Sequence, residues 1–130
     1  MKWRWLFVPD ESFPVTWSGR TAVVGAVREV DITNAERLRD TLLSALNASA
    51  LGLVVDMTMT TFLDSAGVAA LVRASRRAAA SEATVRLAVA APPVLRVLNL
   101  VGIDQLIEVH PSVTAALASL PDHTGRGLPA

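Results

Sequence analysis

The sequence predicts a single α/β domain with a mixed, mostly parallel sheet of four to five strands flanked by about four helices. Three observations carry this prediction. Its 130 residues amount to about one domain at the usual ~150 residues each, leaving no room for a second core. Residues 51–57 read Leu-Gly-Leu-Val-Val-Asp-Met, an apolar run too short for a helix and suited to a strand covered on both faces. Around that run, segments with helical spacing of apolar residues alternate with short β-prone segments, the order expected of strands joined by helical crossovers.

Five aromatics, Trp3, Trp5, Phe7, Phe13 and Trp17, fall in the first seventeen residues. They mark residues 1–14 as an aromatic extension or edge strand, followed by a turn at Pro14 and a second strand over residues 21–27. Thr33 and Glu36 have the spacing of a capping box, so a helix is expected to begin there. Ala35, Leu38, Leu42, Ala45 and Leu46 then form its apolar face, opposite Glu36, Arg37, Arg39 and Asp40.

After the central run, a polar loop over residues 58–61 leads into a second helix. Its inner side is read as Val68, Leu71, Val72, Ser75 and Ala79, with Arg73, Arg76 and Arg77 on the other side. Residues 85–89 alternate as a strand. Pro92 and Pro93 suit the first turn of a third helix striped with Val94, Val97, Leu98 and Val101, and Gly102 stands where a left-handed cap would end it. Residues 106–109 form the last strand, and Ser112 caps a closing helix through Val113, Ala116, Leu117 and Leu120. The domain proper is therefore placed at residues 15–120, with 121–130 as a flexible tail.

Composition removes several function classes. The chain is 52% hydrophobic and 18% charged, which excludes a disordered segment. Twelve basic residues balance twelve acidic ones, so no broad positive field exists to collect nucleic acid or anionic lipid. The absence of cysteine removes disulfides and thiolate metal ligands, consistent with a reducing compartment and with cytoplasm as the expected location. The apolar patch at residues 5–8 is too short for a signal peptide, and no run approaches the ~18 apolar residues of a membrane span. Eleven arginines against one lysine fit a GC-rich bacterial gene.

The chemistry is expected in the loop Phe62-Leu63-Asp64-Ser65-Ala66-Gly67, at the carboxyl end of the central strand, where open α/β sheets keep functional groups. Ser65 is placed in the first turn of the next helix, above backbone N–H groups with no partner in the helix and beside the positive end of its dipole. Such a position tolerates a phosphate. Asp64 is expected to order the loop.

On these residues the chain resembles the STAS domain family of anti-sigma-factor antagonists, a domain also found attached to sulfate transporters. The likeness covers about residues 15–120. It rests on the buried strand with Val54-Val55-Asp56, the turn from Phe62 to Gly67, the strand at 85–89 and the helix from Val94 closing on Gly102. Where the family commonly has Gly-Glu-apolar-Asp, this chain has Arg28-Glu29-Val30-Asp31, keeping the acidic pair and replacing the glycine. Ala66 stands where relatives have a second serine.

The resemblance implies that Ser65 is phosphorylated by an ATP-dependent serine kinase, the anti-sigma factor itself. It implies that Glu29, Asp31, Asp64, Ala66, Gly67 and Val68 form the partner-binding surface, and that a phosphatase resets phospho-Ser65. It further implies a binding module that is not an enzyme, needs no cofactor or metal, and releases a sigma factor by holding its inhibitor. The family's other implication is a non-phosphorylated STAS module in a transporter, lipid-trafficking or sensory complex. The aromatic amino-terminal strand also offers an edge for a homodimer.

Competing chemistries fit less well. The loop half resembles the Gly-x-Ser-x-Gly elbow of hydrolases, but the first glycine is missing and the histidines, His110 and His123, are poorly placed to act as a base. The glycines form neither a dinucleotide fingerprint nor a P-loop. Asp31, Asp56 and Asp64 lack the dense oxygen-ligand pattern of a hard-metal site. Arg73, Arg76 and Arg77 read as a solvated helix face, with contact to an acidic partner as the lesser reading.

Overall fold

The computed structural model describes residues 13–121; the aromatics at Trp3, Trp5 and Phe7, together with His123 and most of the expected tail, lie outside them. The described chain opens on a hairpin of β1 (Val15–Ser18) and β2 (Thr21–Gly25). Gly19, the first of its two loop residues, has φ +59°, a value that glycine adopts without the steric cost of a side chain. The first described strand thus follows Pro14 rather than preceding it, and β2 ends two residues earlier than expected, where Ala26 N–H donates to the Asp56 carbonyl (2.8 Å).

A two-residue strand β3 (Glu29–Val30) precedes α1 (Ala35–Asn47). The central strand β4 (Gly52–Met57) is followed by a second short strand β5 (Phe62–Leu63), then α2 (Ser65–Ala80) and β6 (Thr84–Val89). Helix α3 (Pro92–Val101), a single 3₁₀ turn (Ile103–Gln105), β7 (Glu108–His110) and α4 (Val113–Ala118) complete the order. The main sheet runs β1-β2-β4-β6-β7, antiparallel only between β1 and β2. β3 and β5 form a separate parallel pair. The expected mixed, mostly parallel sheet with four helices is present.

The apolar patterns explain the layers. In α1 the buried residues are Ala35, Leu38, Leu42, Ala45 and Leu46, the face read from the sequence. In α2 the buried face is Gly67, Ala70, Leu71, Ala74 and Ala78, about one residue around from the expected one. Val68 and Val72 flank the core while Ala79 is exposed. Three alanines, Gly67 and Leu71 hold the inner positions, where α2 packs against α1 and the sheet. Leu38, Leu42, Leu53, Val55, Leu71 and Leu87 join the main core. The opposite sheet face is smaller: Val54 and Ala88 form a cluster with Ala116 of α4.

Three ends follow the sequence and one does not. Gly102 caps α3 in the left-handed region (φ +82°), Pro92 and Pro93 occupy its first turn, and Ser112 accepts from Ala115 N–H to cap α4. The capping box at Thr33 and Glu36 is not formed, and α1 starts at Ala35. Asp31 takes both Thr33 donors instead, so Thr33 belongs to the preceding turn. The final strand is shifted to β7 because the 3₁₀ turn buries Ile103 and Ile107 first. Among the described residues no helix is long and apolar enough to cross a membrane.

Candidate functional site

The small β3–β5 pair builds the site by joining two loops at the carboxyl end of the sheet. Glu29 pairs with Phe62 and Val30 with Leu63. Thr61 N–H donates to the Arg28 carbonyl (2.8 Å) and Asp64 N–H to the Val30 carbonyl (3.2 Å). Buried Thr60 adds a hydroxyl bond to the Val27 carbonyl (2.7 Å). The turn carrying Glu29 and Asp31 is thereby held against the start of α2. A sequence reading finds both segments but has no signal for a pairing only two residues long.

Asp64 is the N-cap of α2, and one carboxylate oxygen accepts from Ala66 N–H (2.9 Å) and Gly67 N–H (3.2 Å). Ser65 follows as the first helical residue and is exposed. This corrects one expectation: the backbone donors beneath Ser65 are not vacant, because Asp64 already occupies two of them. An anion added to Ser65 would meet a neighbouring carboxylate, and little of the helix-terminus stabilisation is left for it.

Gly67, one of the residues expected at the partner surface, is buried. A Cβ at this position would come within 2.4 Å of Leu63 Cδ1 and 2.8 Å of Val30 Cγ1. The missing side chain is what lets the first turn of α2 lie directly on β3 and β5. Ala66, Val68, Asp31 and Asp64 are half-buried and Glu29 is exposed.

Asn34 was not singled out by the sequence, yet it organises the acidic turn. It is 4% exposed. Its Nδ2 donates to the Glu29 carbonyl (2.8 Å), and its Oδ1 accepts from Asp31 N–H (3.0 Å). An Asn directly before an amphipathic helix is the one available signal, and it reads as an N-cap; the side chain instead faces back, with no cap bond to α1.

The Asp31 carboxyl accepts from the Thr33 hydroxyl and from Thr33 N–H (2.9 Å), and these bonds, the hydroxyl's first, hold its pKa below the ordinary aspartate value. A lowered folded-state pKa makes the Asp31 contribution to the turn complete above the unfolded value of about 3.9, and it is lost as pH falls through the lower folded value. Thr33→Val is expected to move the Asp31 titration upward toward the ordinary value in an NMR pH series. An unchanged curve would contradict the assigned cause.

Large apolar side chains surround this polar frame. Ile32, Met59 and Phe62 are 79%, 69% and 50% exposed. A hollow of about 620 Å³ lies between Arg28, Glu29, Asp31, Thr33 and Met59. Exposed apolar groups beside satisfied polar ones suit a protein-binding surface. His110 Nε2 lies 3.1 Å from Glu108 Oε1, and among the described residues no hydrogen bond joins Ser65 to a histidine. Nor does any group of three His, Cys, Asp or Glu among the described residues form a metal site.

The family model of the STAS domain matches residues 13–116. A solved anti-sigma factor antagonist from Mycobacterium paratuberculosis is 23% identical, with a TM-score of 0.77 over 85% of this chain and 93% of its own. The anti-sigma factor antagonist SpoIIAA, in its unphosphorylated form, is 21% identical with a TM-score of 0.70, covering 81% of this chain and 92% of its own; the Bacillus SpoIIAA is also known in a phosphorylated form. The murine anion transporter Slc26a9 is similar over 79% of this chain and 18% of its own length, at 19% identity and a TM-score of 0.64. No curated protein matches the sequence significantly.

Proposed function

The chain belongs to the STAS domain family, and within it we propose an anti-sigma-factor antagonist whose grip on its partner is cancelled by phosphorylation of Ser65. The partner is an ATP-dependent serine kinase that doubles as the anti-sigma factor; while this chain holds it, the sigma factor is released. The observation that supports this reading is the exposed Ser65 at the start of α2, flanked by a fixed Asp64 and by the Glu29–Asp31 turn. Glu29, Asp31, Asp64, Ala66 and Val68 supply partner contacts, and Gly67 allows the close approach that presents them. Nucleotide and Mg²⁺ belong to the kinase, a phosphatase restores the serine, and this chain is substrate rather than catalyst.

Charge decides the sign of the switch. Phosphorylation adds about −1.5 to −2 charges at pH 7. The helix terminus offers such a group at most about 0.3–1 kcal/mol at an exposed site, and Asp64 has already claimed two of its donors. Burying an unpaired charge in an interface costs about 3–5 kcal/mol. The interface penalty is the larger, so phosphate breaks the complex while the fold persists.

Incubation of the intact chain with Mg·ATP and the candidate kinase, followed by intact-mass measurement, is expected to show a gain of one phosphate that Ser65→Ala abolishes. A phosphate retained by Ser65→Ala would reject the assignment. The second reading, a STAS module that binds without being phosphorylated, is favoured by the likeness to the transporter's domain; complex formation without any mass gain would establish it.

A further inference from the structure

A second surface begins beside Ser65 and runs along the two helices that cover the main sheet face. Ile32, Ala35, Glu36 and Arg39 on the α1 side, and Ala66, Ala69, Ala70 and Arg73 on α2, line one cleft of about 560 Å³. On α2 the spacing of three, four and seven residues from Ala66 makes a stripe down one helix face, with Val72 beside it; on the other wall Ala35, Glu36 and Arg39 belong to α1 and Ile32 to the turn before it. Arg76 extends the α2 stripe by one more turn.

The chemistry of the cleft is graded. Its floor is alanine, with Ala35 and Ala70 at 6% and 3% exposure, so a backbone can approach closely. Ile32, 79% exposed, is an apolar shoulder. Arg39 is committed, reaching Asp40 at 3.0 Å and Glu36 at 3.3 Å. Arg73 and Arg76 are exposed, and neither makes an ion pair or a hydrogen bond among the described residues. The cleft therefore ends in two uncompensated positive charges.

We propose that this cleft seats an amphipathic helix of the partner protein, its apolar face on the alanine floor and Ile32 and its carboxylates on Arg73 and Arg76. The proposal rests on the reading of the chain as a partner-binding module and adds the chemistry of what it binds. A helix fits because the cleft is walled by two helices and offers no strand edge for an extended peptide. From Ala66 to Arg76 the stripe is about 15 Å long at 1.5 Å per residue, enough for roughly three turns of a docked helix. Ser65 immediately precedes the first residue of the stripe, so a phosphate there adds negative charge at the head of a site built for an acidic ligand.

The test uses the intact chain, isotope-labelled, and a capped 16-residue helical peptide repeating Ala-Leu-Ala-Glu, with a Lys-for-Glu version as control. Saturable NMR shifts centred on Ala66, Ala69, Arg73 and Arg76 are expected with the acidic peptide only. Arg73→Glu with Arg76→Glu is expected to weaken that binding by about tenfold or more without moving the melting temperature, since both side chains are exposed. Absence of saturable shifts, equal response to the Lys peptide, or shifts centred on Met59 and Phe62 would each overturn the proposal. Phosphorylation of Ser65, read independently by mass, would survive any of those results.

Discussion

Ser65→Glu is expected to bind the anti-sigma factor at least about a hundredfold more weakly than Ser65→Ala, with both variants melting within about 2 °C of the parent. A hundredfold is about 2.7 kcal/mol, below the ~3–5 kcal/mol cost of an unpaired buried charge, because glutamate carries less charge than a phosphate. The side chain is exposed and heads α2, so neither substitution disturbs the core. Asp64 keeps its bonds to Ala66 and Gly67 N–H in both variants, and the helix cap is preserved. Calorimetric titration of the purified kinase with each variant gives the answer. Equal affinities would remove the switch and leave the non-phosphorylated module as the better account.

The second large effect is on stability. Asn34→Ala should cost about 2–4 kcal/mol and lower the melting temperature by roughly 10 °C. The side chain is almost wholly buried and meets two backbone groups, the Glu29 carbonyl and Asp31 N–H. Alanine removes the side-chain partner of both part-buried groups, at about 1–3 kcal/mol for each that is left unsatisfied. Asn34→Asp is a sharper probe: it retains an acceptor for Asp31 N–H but turns a carboxylate oxygen toward the Glu29 carbonyl. It should be no more stable than the alanine variant. A melting temperature unchanged in both would show that the turn is held by the β3–β5 pairing alone.

The legible part of this molecule was the part governed by local rules. The buried face of α1, the prolines and glycine that bound α3, and the Ser112 cap all depend on residues within one helix, where spacing and capping preferences act directly. The central position of β4 was also readable, because a strand covered on both faces has no polar alternation. The loop with Asp64 and Ser65 could be located for the same reason: it follows that strand and opens an amphipathic helix.

The remainder was set by contacts between segments distant in sequence. The capping-box pattern at Thr33 and Glu36 competed with Asp31, and the nearer carboxylate took the Thr33 donors. The inner face of α2 lies about one residue around from the expected one, and at its start only a glycine fits, because a Cβ at position 67 would meet Leu63 and Val30. Asn34, Thr60 and Gly67 acquired their roles only when residues 27–30 came to lie beside residues 60–64.

By itself, then, the chain's order of residues determined which segments are helices and strands and where Ser65 sits, since periodicity, caps and turn residues act over a few positions. Only the tertiary structure decided that the Glu29–Val30 segment lies beside that serine's loop, which apolar groups stay exposed, and how the α1 and α2 stripes face one another. Those properties depend on the pairing and packing of segments some thirty residues apart, which no local pattern encodes.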